Sequence, residues 1–360
     1  MVRIVEALVE SPSQLAERDA RSQLAAHPGA VERWVRGLLA DPRDLPFLVL
    51  CAQITCIVLP FAAYLFLPGR FRWDLAVVYL AVVFLGFIDK FILMLHNTSH
   101  RRLFRRDLSL LNHYIPWVLG PFFGETPETY YSHHVGMHHV EGNLADDLSS
   151  TMRYQRDNPL HFAHYYLRFM TTGLMELAGY FAARKRWKRF WPMIVGELSF
   201  YAAVAALLSW NWQPTLVVLV IPVLAVRFLM MCGNWGQHAF IDASRPDNSF
   251  VNSITCVDSR YNRRCFNDGY HIGHHLKPGM HWSEMPGAFA ASADRYGAEG
   301  ALVFKGIDFF IVWLLLMTRQ YGALARRMVH CGPGEPATVE ERIALIKSRL
   351  TPIPRTAAAA

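Results

Sequence analysis

Histidine is the residue type that could carry chemistry in this chain, because most of its 16 histidines fall in three tight groups. The groups are His96-Asn97-Thr98-Ser99-His100, His133-His134-Val135-Gly136-Met137-His138-His139 and His271-Ile272-Gly273-His274-His275. Neutral imidazole is a ligand suited to iron, copper, zinc and nickel. A cluster this large exceeds what one ion can use, and it lacks the carboxylate-rich pattern of soluble di-iron bundles. The spacing therefore predicts a histidine-rich site for more than one metal ion.

Four long apolar runs must position these groups. They cover about residues 46–67, 74–95, 192–208 and 214–233. Each approaches the roughly 20 residues that a helix needs to cross a bilayer. The links within each pair are very short, and they carry Trp73, Trp210 and Trp212, as is typical of a membrane interface. The pattern predicts two transmembrane hairpins.

Each hairpin crosses the membrane twice and returns to its starting side. Residues 96–191 and all residues after 233 are therefore expected on one side of the membrane. Basic clusters at 101–106 and 184–189 lie on that same side. The positive-inside rule makes this side cytoplasmic, so we expect a multi-pass protein of the bacterial inner membrane with a cytoplasmic site. Three further apolar segments are interpreted differently: 108–123 is predicted as interfacial or re-entrant, 161–183 as a surface helix, and 307–317 as part of a cap.

The composition agrees with a membrane protein. Hydrophobic residues make up 52% of the chain and charged residues only 18%, below the usual quarter for soluble domains. The net charge of +7 is concentrated next to the apolar runs, which favours contact with the lipid bilayer and argues against a nucleic-acid partner. Six cysteines without a CxxC pair predict neither a disulfide framework nor a zinc finger.

The expected fold is an all-α integral membrane protein with two transmembrane hairpins (four spans), interfacial helices and a cytoplasmic helical cap that holds a di-metal site. The expected divisions are N-terminal cytoplasmic amphipathic helices at 1–45, a membrane domain with a cytoplasmic catalytic cap at 46–330, and a C-terminal tail at 331–360. The N-terminal helices are expected to break near His27-Pro28-Gly29.

The order and spacing of the histidines resemble the boxes of the membrane fatty acid desaturase and hydroxylase superfamily. The matching residues are His96 and His100, then His134, His138 and His139, then His271, His274 and His275. Further similarities are Asn234-Trp235-Gly236-Gln237-His238 at the end of the last run, Asp268-Gly269-Tyr270 before the third box, and Asn143 with Asp146-Asp147 after the second.

The resemblance implies nine histidine ligands, those eight and His238, holding two iron ions, with Asn234 reaching the metal through water. It also implies O₂-dependent oxidation of a fatty acid or fatty acyl chain, most simply desaturation. No Rossmann fingerprint, flavin motif or iron–sulfur cysteine set is present, so electrons are expected from a ferredoxin or cytochrome b5-type donor with its reductase. The substrate is expected to enter from the bilayer into a tunnel between the spans.

Several alternatives share these motifs. Abstraction at the β-carbon of a free medium-chain fatty acid would release CO₂ and leave a terminal alkene, as in the bacterial desaturase-like decarboxylases of this superfamily. Hydroxylation and carotenoid oxidation are further variants. A metal transporter would also explain the histidines, but it would place its ligands along a path through the mid-bilayer rather than at one face.

The sequence alone leaves the roles of several polar residues undecided. His133 could replace His134 in the register of the second box. Asp89 lies two helical turns before His96, so it could line the acyl pocket or orient a ligand. The other interpretation of Asp89 is an ion pair with Arg227 of the last run. No ligand role is assigned to His113, His161, His164 or His281.

Overall fold

The computed structural model describes residues 10–20, 29–332 and 336–354, and helices dominate it. Four helices in this part of the chain are long and apolar enough to cross a membrane. They are span 1 (Pro42–Phe66), span 2 (Trp73–His100), span 3 (Trp187–Trp210) and span 4 (Trp212–Gln237). Each contains one of the predicted runs nearly in full, and tryptophans stand at both hairpin turns. The expected all-α membrane fold with four spans is confirmed.

Spans 1, 2 and 4 contain local departures from α-helical geometry. Span 1 starts with a 3-10 turn at Pro42–Asp44 before the α-helix Leu45–Phe66. Span 2 consists of Trp73–Ala81, a π-helical turn at Val82–Phe87 and Ile88–His100. Span 4 consists of Trp212–Thr215, a π-helical turn at Leu216–Val220 and Ile221–Gln237.

The other elements are shorter, apart from one long helix beside the spans. The α-helices are Pro12–Asp19, Ala30–Arg36, Thr129–His133, His139–Glu141, Pro159–Ala183, Ser249–Asn252, Arg260–Arg264, His271–Leu276, Met285–Glu299, Phe309–Met317, Tyr321–Ala325 and Val339–Ser348. Further 3-10 turns lie at Arg106–His113 and Gly120–Phe123, and π-helical turns at Ile115–Leu119 and His134–His138. Strands β1 (Ile254–Val257) and β2 (Leu302–Lys305) pair in parallel, with Ile254 opposite Leu302.

The segment between the first and second histidine boxes packs tightly against spans 3 and 4. Gly124 has a φ of +73°, and a Cβ there would lie 2.4 Å from the backbone oxygen of Pro222 in span 4. A Cβ on Gly196 of span 3 would lie 1.9 Å from the backbone oxygen of Pro127. Only glycine permits approaches this close. The segment therefore packs closely against spans 3 and 4, and the interfacial or re-entrant placement of residues 108–123 stays a prediction.

The long helix Pro159–Ala183 is not one of the four candidate spans. It packs against spans 3 and 4 through side chains that include Phe162, Tyr165 and Phe181. Only spans 3 and 4 then cross the membrane between the second and third boxes, so both boxes lie on the same side. The two-hairpin arrangement depends on this even number of crossings.

The cap is closed by the two ends of the chain. Asp19, in the first helix, is buried and accepts hydrogen bonds from Asn262 Nδ2 at 2.8 Å and Tyr270 Oη at 2.9 Å. The fully buried Arg156 guanidinium donates to backbone oxygens of Ala239 and Arg349, among others, at 2.7 and 2.9 Å. The terminal segments thus pack on the elements that carry the third box and the end of span 4. Residues 1–9, 21–28, 333–335 and 355–360 of the predicted terminal divisions, including His27-Pro28, lie outside the described residues.

Candidate metal centre

The structure brings all nine candidate histidines together in two adjacent groups. The first group is His96, His100, His134, His139 and His274, and the second is His138, His238, His271 and His275. Within each group, one ring nitrogen from every histidine lies within 4.8 Å of the others. Neither group contains a carboxylate or a thiol. Each arrangement is therefore an all-imidazole site of the size that one metal ion requires.

A π-helical turn explains how the second box serves both groups. The backbone N–H of His139 bonds to the carbonyl oxygen of His134, five residues earlier. In an α-helix, residues five apart point in different directions, but the wider π turn brings them closer to one face. His134 and His139 consequently belong to the first group, with Nε2 atoms 3.1 Å apart, while His138 faces the second group.

The third box contributes histidines to both groups, and ordinary α-helical spacing explains which histidine joins which group. His271 and His275, four residues apart, lie on one face of the helix His271–Leu276, and their Nε2 atoms are 3.0 Å apart. His274 points to the first group, where its Nε2 lies 2.8 Å from that of His96. His238 follows the last turn of span 4 and completes the second group, 3.2 Å from His271.

Burial favours the neutral, metal-binding form of several of these imidazoles. Burial lowers the pKa of His238 to about 3 and holds the pKa of His271, His274 and His275 well below that of free imidazole. Two neutral ring nitrogens about 3 Å apart repel each other when both present lone pairs, unless a cation lies between them. The buried Nε2 of His100 has no hydrogen-bond partner. This donor set fits metal ions and does not fit a dry apolar core.

Each group contains one histidine that is backed by a buried carboxylate. In the first group, His96 Nδ1 lies 2.9 Å from Asp268 Oδ1, and in the second, His138 Nδ1 lies 2.7 Å from Asp147 Oδ2. Such a partner fixes the ring and directs the Nε2 lone pair toward a metal. The sequence marks Asp147 and Asp268 only as similarities to the family pattern and predicts no role for either.

Asn234 lies beside the second group and outside the set of ring nitrogens. Its side-chain N–H₂ donates to the Ser149 carbonyl oxygen at 3.0 Å and to Tyr165 Oη at 2.7 Å. These two bonds fix the amide, and Asn234 lines the cavity described below. A metal contact through water therefore remains a prediction.

Other histidines of the described residues lie outside both groups. His133 is adjacent to the site, but its ring contacts Phe169, and His134 takes the position in the first group. His281 is buried against Asp44, with Nε2 and Oδ1 3.0 Å apart. His113 is largely exposed and lies 3.4 Å from Glu128. His161 accepts from the backbone of Gln155, and His164 lies 3.1 Å from Tyr154 Oη.

A cavity of about 360 Å³ leads away from the centre between the spans. His96, His134, His138 and His271 line one end of it. Apolar side chains of spans 2 and 4 line most of the remainder, namely Ile88, Ile92, Leu93, Val226, Leu229 and Met230. Leu229 and Phe310, which are 37% and 39% exposed, border the cavity at the outer surface of the bundle.

Asp89 also lines this cavity, but its predicted ion pair with Arg227 is wrong. Asp89 pairs instead with Arg264 of the cap, which also donates to the backbone oxygen of Leu85. Arg227 lies 3.8 Å from Glu197 of span 3. Both partners come from segments distant in sequence, so the pairing could not be read from helix spacing.

The comparison with protein families agrees with this architecture. The family model for Fatty acid desaturase matches residues 74–306, more than half of the chain, and covers spans 2 to 4 and all three boxes. A search of curated proteins found no match to this chain. The chain belongs to the fatty acid desaturase family and is an integral membrane oxidoreductase of the desaturase and hydroxylase type.

Proposed function

We propose that this protein is an O₂-dependent oxidase that holds one iron ion in each histidine group and removes hydrogen from a fatty acyl chain. The observation that supports this proposal is that two all-histidine groups lie at the end of an apolar cavity between membrane spans. Iron is one of the metals suited to imidazole, and the family favours it over zinc or copper. When bound, two irons would supply the oxygen activation needed to attack an unactivated methylene.

The protein's own residues position the reaction. The nine imidazoles would hold the metals, and Asp147 and Asp268 would keep two of the rings oriented. The apolar walls would exclude water from the chain and hold its methylenes against the histidine end. Leu229 and Phe310 mark the place where we infer that the chain enters from the bilayer.

Desaturation is the simplest outcome. Two neighbouring C–H bonds break and a carbon–carbon double bond forms, so the substrate loses two hydrogens and two electrons. A donor protein supplies two more electrons and two protons arrive from water, so one O₂ is reduced to two waters. We propose that this donor is a ferredoxin or cytochrome b5-type carrier that docks on the side of the basic clusters, which we take to be cytoplasmic.

Oxidative decarboxylation of a free fatty acid is the second candidate. Loss of a β-hydrogen and cleavage of the bond to the carboxyl group would give a terminal alkene and CO₂, with the same electron and proton requirement. One observation favours it. The uncharged polar side chains Tyr130 and Gln237 lie at the histidine end of the cavity, where the carboxyl group would have to be.

The test combines metal analysis with product analysis. Protein matured with iron is expected to contain two irons per chain and to convert supplied fatty acids, with products identified by mass spectrometry. His238→Ala should lower turnover at least about 10-fold, because it removes a ligand of the second group. His113→Ala, at an exposed histidine, is the matched control. Full activity after iron removal, or of His238→Ala, would refute the proposal.

A further inference from the structure

Two polar side chains of the cavity, Tyr130 and Gln237, make no side-chain hydrogen bond with any residue that the structure describes, although both are partly buried. The Tyr130 ring stacks on His134 of the first group, with centroids 5.2 Å apart and planes at 23°. Gln237 ends span 4 and immediately precedes His238 of the second group. Both side chains therefore share the cavity with histidines of both groups.

Most other polar side chains of the cavity outside the two histidine groups are committed to the protein, but the buried Nε2 of His133 has no hydrogen-bond partner and its ring packs against Phe169. Tyr261 Oη donates to Asp268, Asn234 donates to Ser149 and Tyr165, and Asp89 pairs with Arg264. Ligand sites in proteins are mostly apolar and contain a few polar groups that fix the orientation of the ligand. Tyr130 and Gln237 have the surroundings expected of such groups.

We propose that Tyr130 and Gln237 bind the carboxyl end of a free fatty acid beside the metal centre, so that oxidation falls on carbons near that end. This inference rests on the proposed function and specifies its substrate and its position of attack. A phenol and a primary amide can both donate a hydrogen bond to a carboxyl oxygen. Both side chains line the same cavity as His134 of the first group and His138 and His271 of the second, so a carboxyl group held there would lie near both groups.

The charge distribution along the cavity supports this orientation. Two divalent ions held only by neutral imidazoles would carry more positive charge than the buried Asp147 and Asp268 neutralise, which attracts an anion. Among the described residues, no lysine or arginine lines the cavity, so no other cation competes for the carboxylate there. Asp89 lies seven residues before His96, roughly 10 Å along the helix, and would repel a carboxylate bound at that level. Asp308 also lines the cavity, next to Phe309, so the positive charge of the metals must outweigh its repulsion at the histidine end.

The length of the cavity sets the size of the acid. From His96 to Ile88, span 2 rises roughly 12 Å, since each helical residue adds about 1.5 Å, slightly more than one methylene of an extended chain. A chain of roughly ten carbons would therefore reach from the histidine end to the level of Ile88. Decanoic acid is the appropriate probe, and decane is its counterpart without the carboxyl group.

The experiment measures binding without turnover. Iron-loaded full-length protein in lipid nanodiscs, kept without oxygen or reductant, is titrated with radiolabelled decanoic acid and, separately, decane, and empty nanodiscs correct for partitioning. Tyr130→Phe and Gln237→Met should each weaken decanoic acid binding roughly 10-fold, as expected for loss of a hydrogen bond to a charged group. Decane binding should stay within about twofold of wild type, because the cavity walls are unchanged. Tyr131→Phe is the matched control, since the Tyr131 hydroxyl lies 3.5 Å from Thr98 and Tyr131 does not line the cavity.

A second measurement locates the oxidation. With oxygen and electrons supplied, decanoic acid deuterated at carbons 2 and 3 should lose deuterium, and acid deuterated at carbons 8 and 9 should keep it. Equal binding of decanoic acid by wild type, Tyr130→Phe and Gln237→Met, or deuterium loss only from the distal carbons, would overturn the inference. Failure of the wild type to oxidise any fatty chain would instead overturn the proposed function, and the binding data would still report on the two side chains.

Discussion

Replacing Asp147 by asparagine removes a negative charge and one acceptor from beneath His138. Both carboxylate oxygens are in use. Oδ2 lies 2.7 Å from His138 Nδ1 and accepts from the backbone N–H of Asn143 at 2.9 Å, while Oδ1 accepts from the backbone N–H of Ser149 at 2.8 Å. An amide has a single oxygen. Either His138 loses its acceptor, or the Ser149 N–H is left unpaired inside the protein.

The size of the effect follows from which bond is lost. If the amide oxygen stays beneath His138, the ring keeps its orientation but has a weaker partner, and the buried N–H of Ser149 costs about 1–3 kcal/mol of folding free energy. If the amide nitrogen faces His138, the tautomer that presents Nε2 to the metal is disfavoured. Outer partners of metal-bound histidines typically contribute about 10- to 100-fold to metal affinity. That range corresponds to roughly 1.4–2.7 kcal/mol.

The measurement is the iron retained per chain after a timed exposure to a chelator, with thermal unfolding followed in parallel. Asp147→Asn should lose iron faster than wild type and unfold at a lower temperature. Asp146→Asn is the control, because the neighbouring Asp146 is exposed and lies 2.9 Å from Arg184 at the surface. Iron retention within twofold of wild type together with an unchanged unfolding temperature for Asp147→Asn, or equal losses in both variants, would contradict the role assigned to Asp147.

Three further outcomes are expected. Gly196→Ala should lower the unfolding temperature, because its Cβ would lie 1.9 Å from a backbone oxygen and overpacking costs typically about 1–3 kcal/mol, whereas Gly179→Ala, in open space, should not. Arg156→Met should destabilise the cap by at least about 3 kcal/mol, since it leaves several buried carbonyl oxygens without a donor, and denaturation in detergent measures this. Single cysteines introduced near Arg102 and near Trp212 should show opposite accessibility in sealed vesicles; matching accessibility would contradict the two-hairpin arrangement.

The spans and the boxes could be read from the sequence because each depends on a local pattern. Hydropathy over about 20 residues finds a membrane helix wherever its neighbours lie. Spacing of three or four residues places His271 with His275, and His274 apart, without any knowledge of the tertiary fold. The family match over residues 74–306 confirms the resemblance that these patterns suggested.

The division of the histidines between the groups could not be read in the same way. An α-helical reading of the second box pairs His134 with His138, four residues apart, but the π-helical turn at His134–His138 pairs His134 with His139. The ionic partner of Asp89 was missed for a different reason. Arg264 is 175 residues away, and only the docking of the cap onto span 2 brings them together.

The two halves of the centre are interdependent because the second and third boxes contribute to both. His138 and His139 are consecutive, yet they face different groups, and so do His274 and His275. A shift of either box relative to spans 2 and 4 would therefore displace donors from both sites at once. Metal binding at either site would stabilise the same docked arrangement, since ligands that bind only the folded form favour it. The segment between the first and second boxes packs closely against Gly196 of span 3 and, through its own Gly124, against span 4, and neither contact involves a candidate metal ligand.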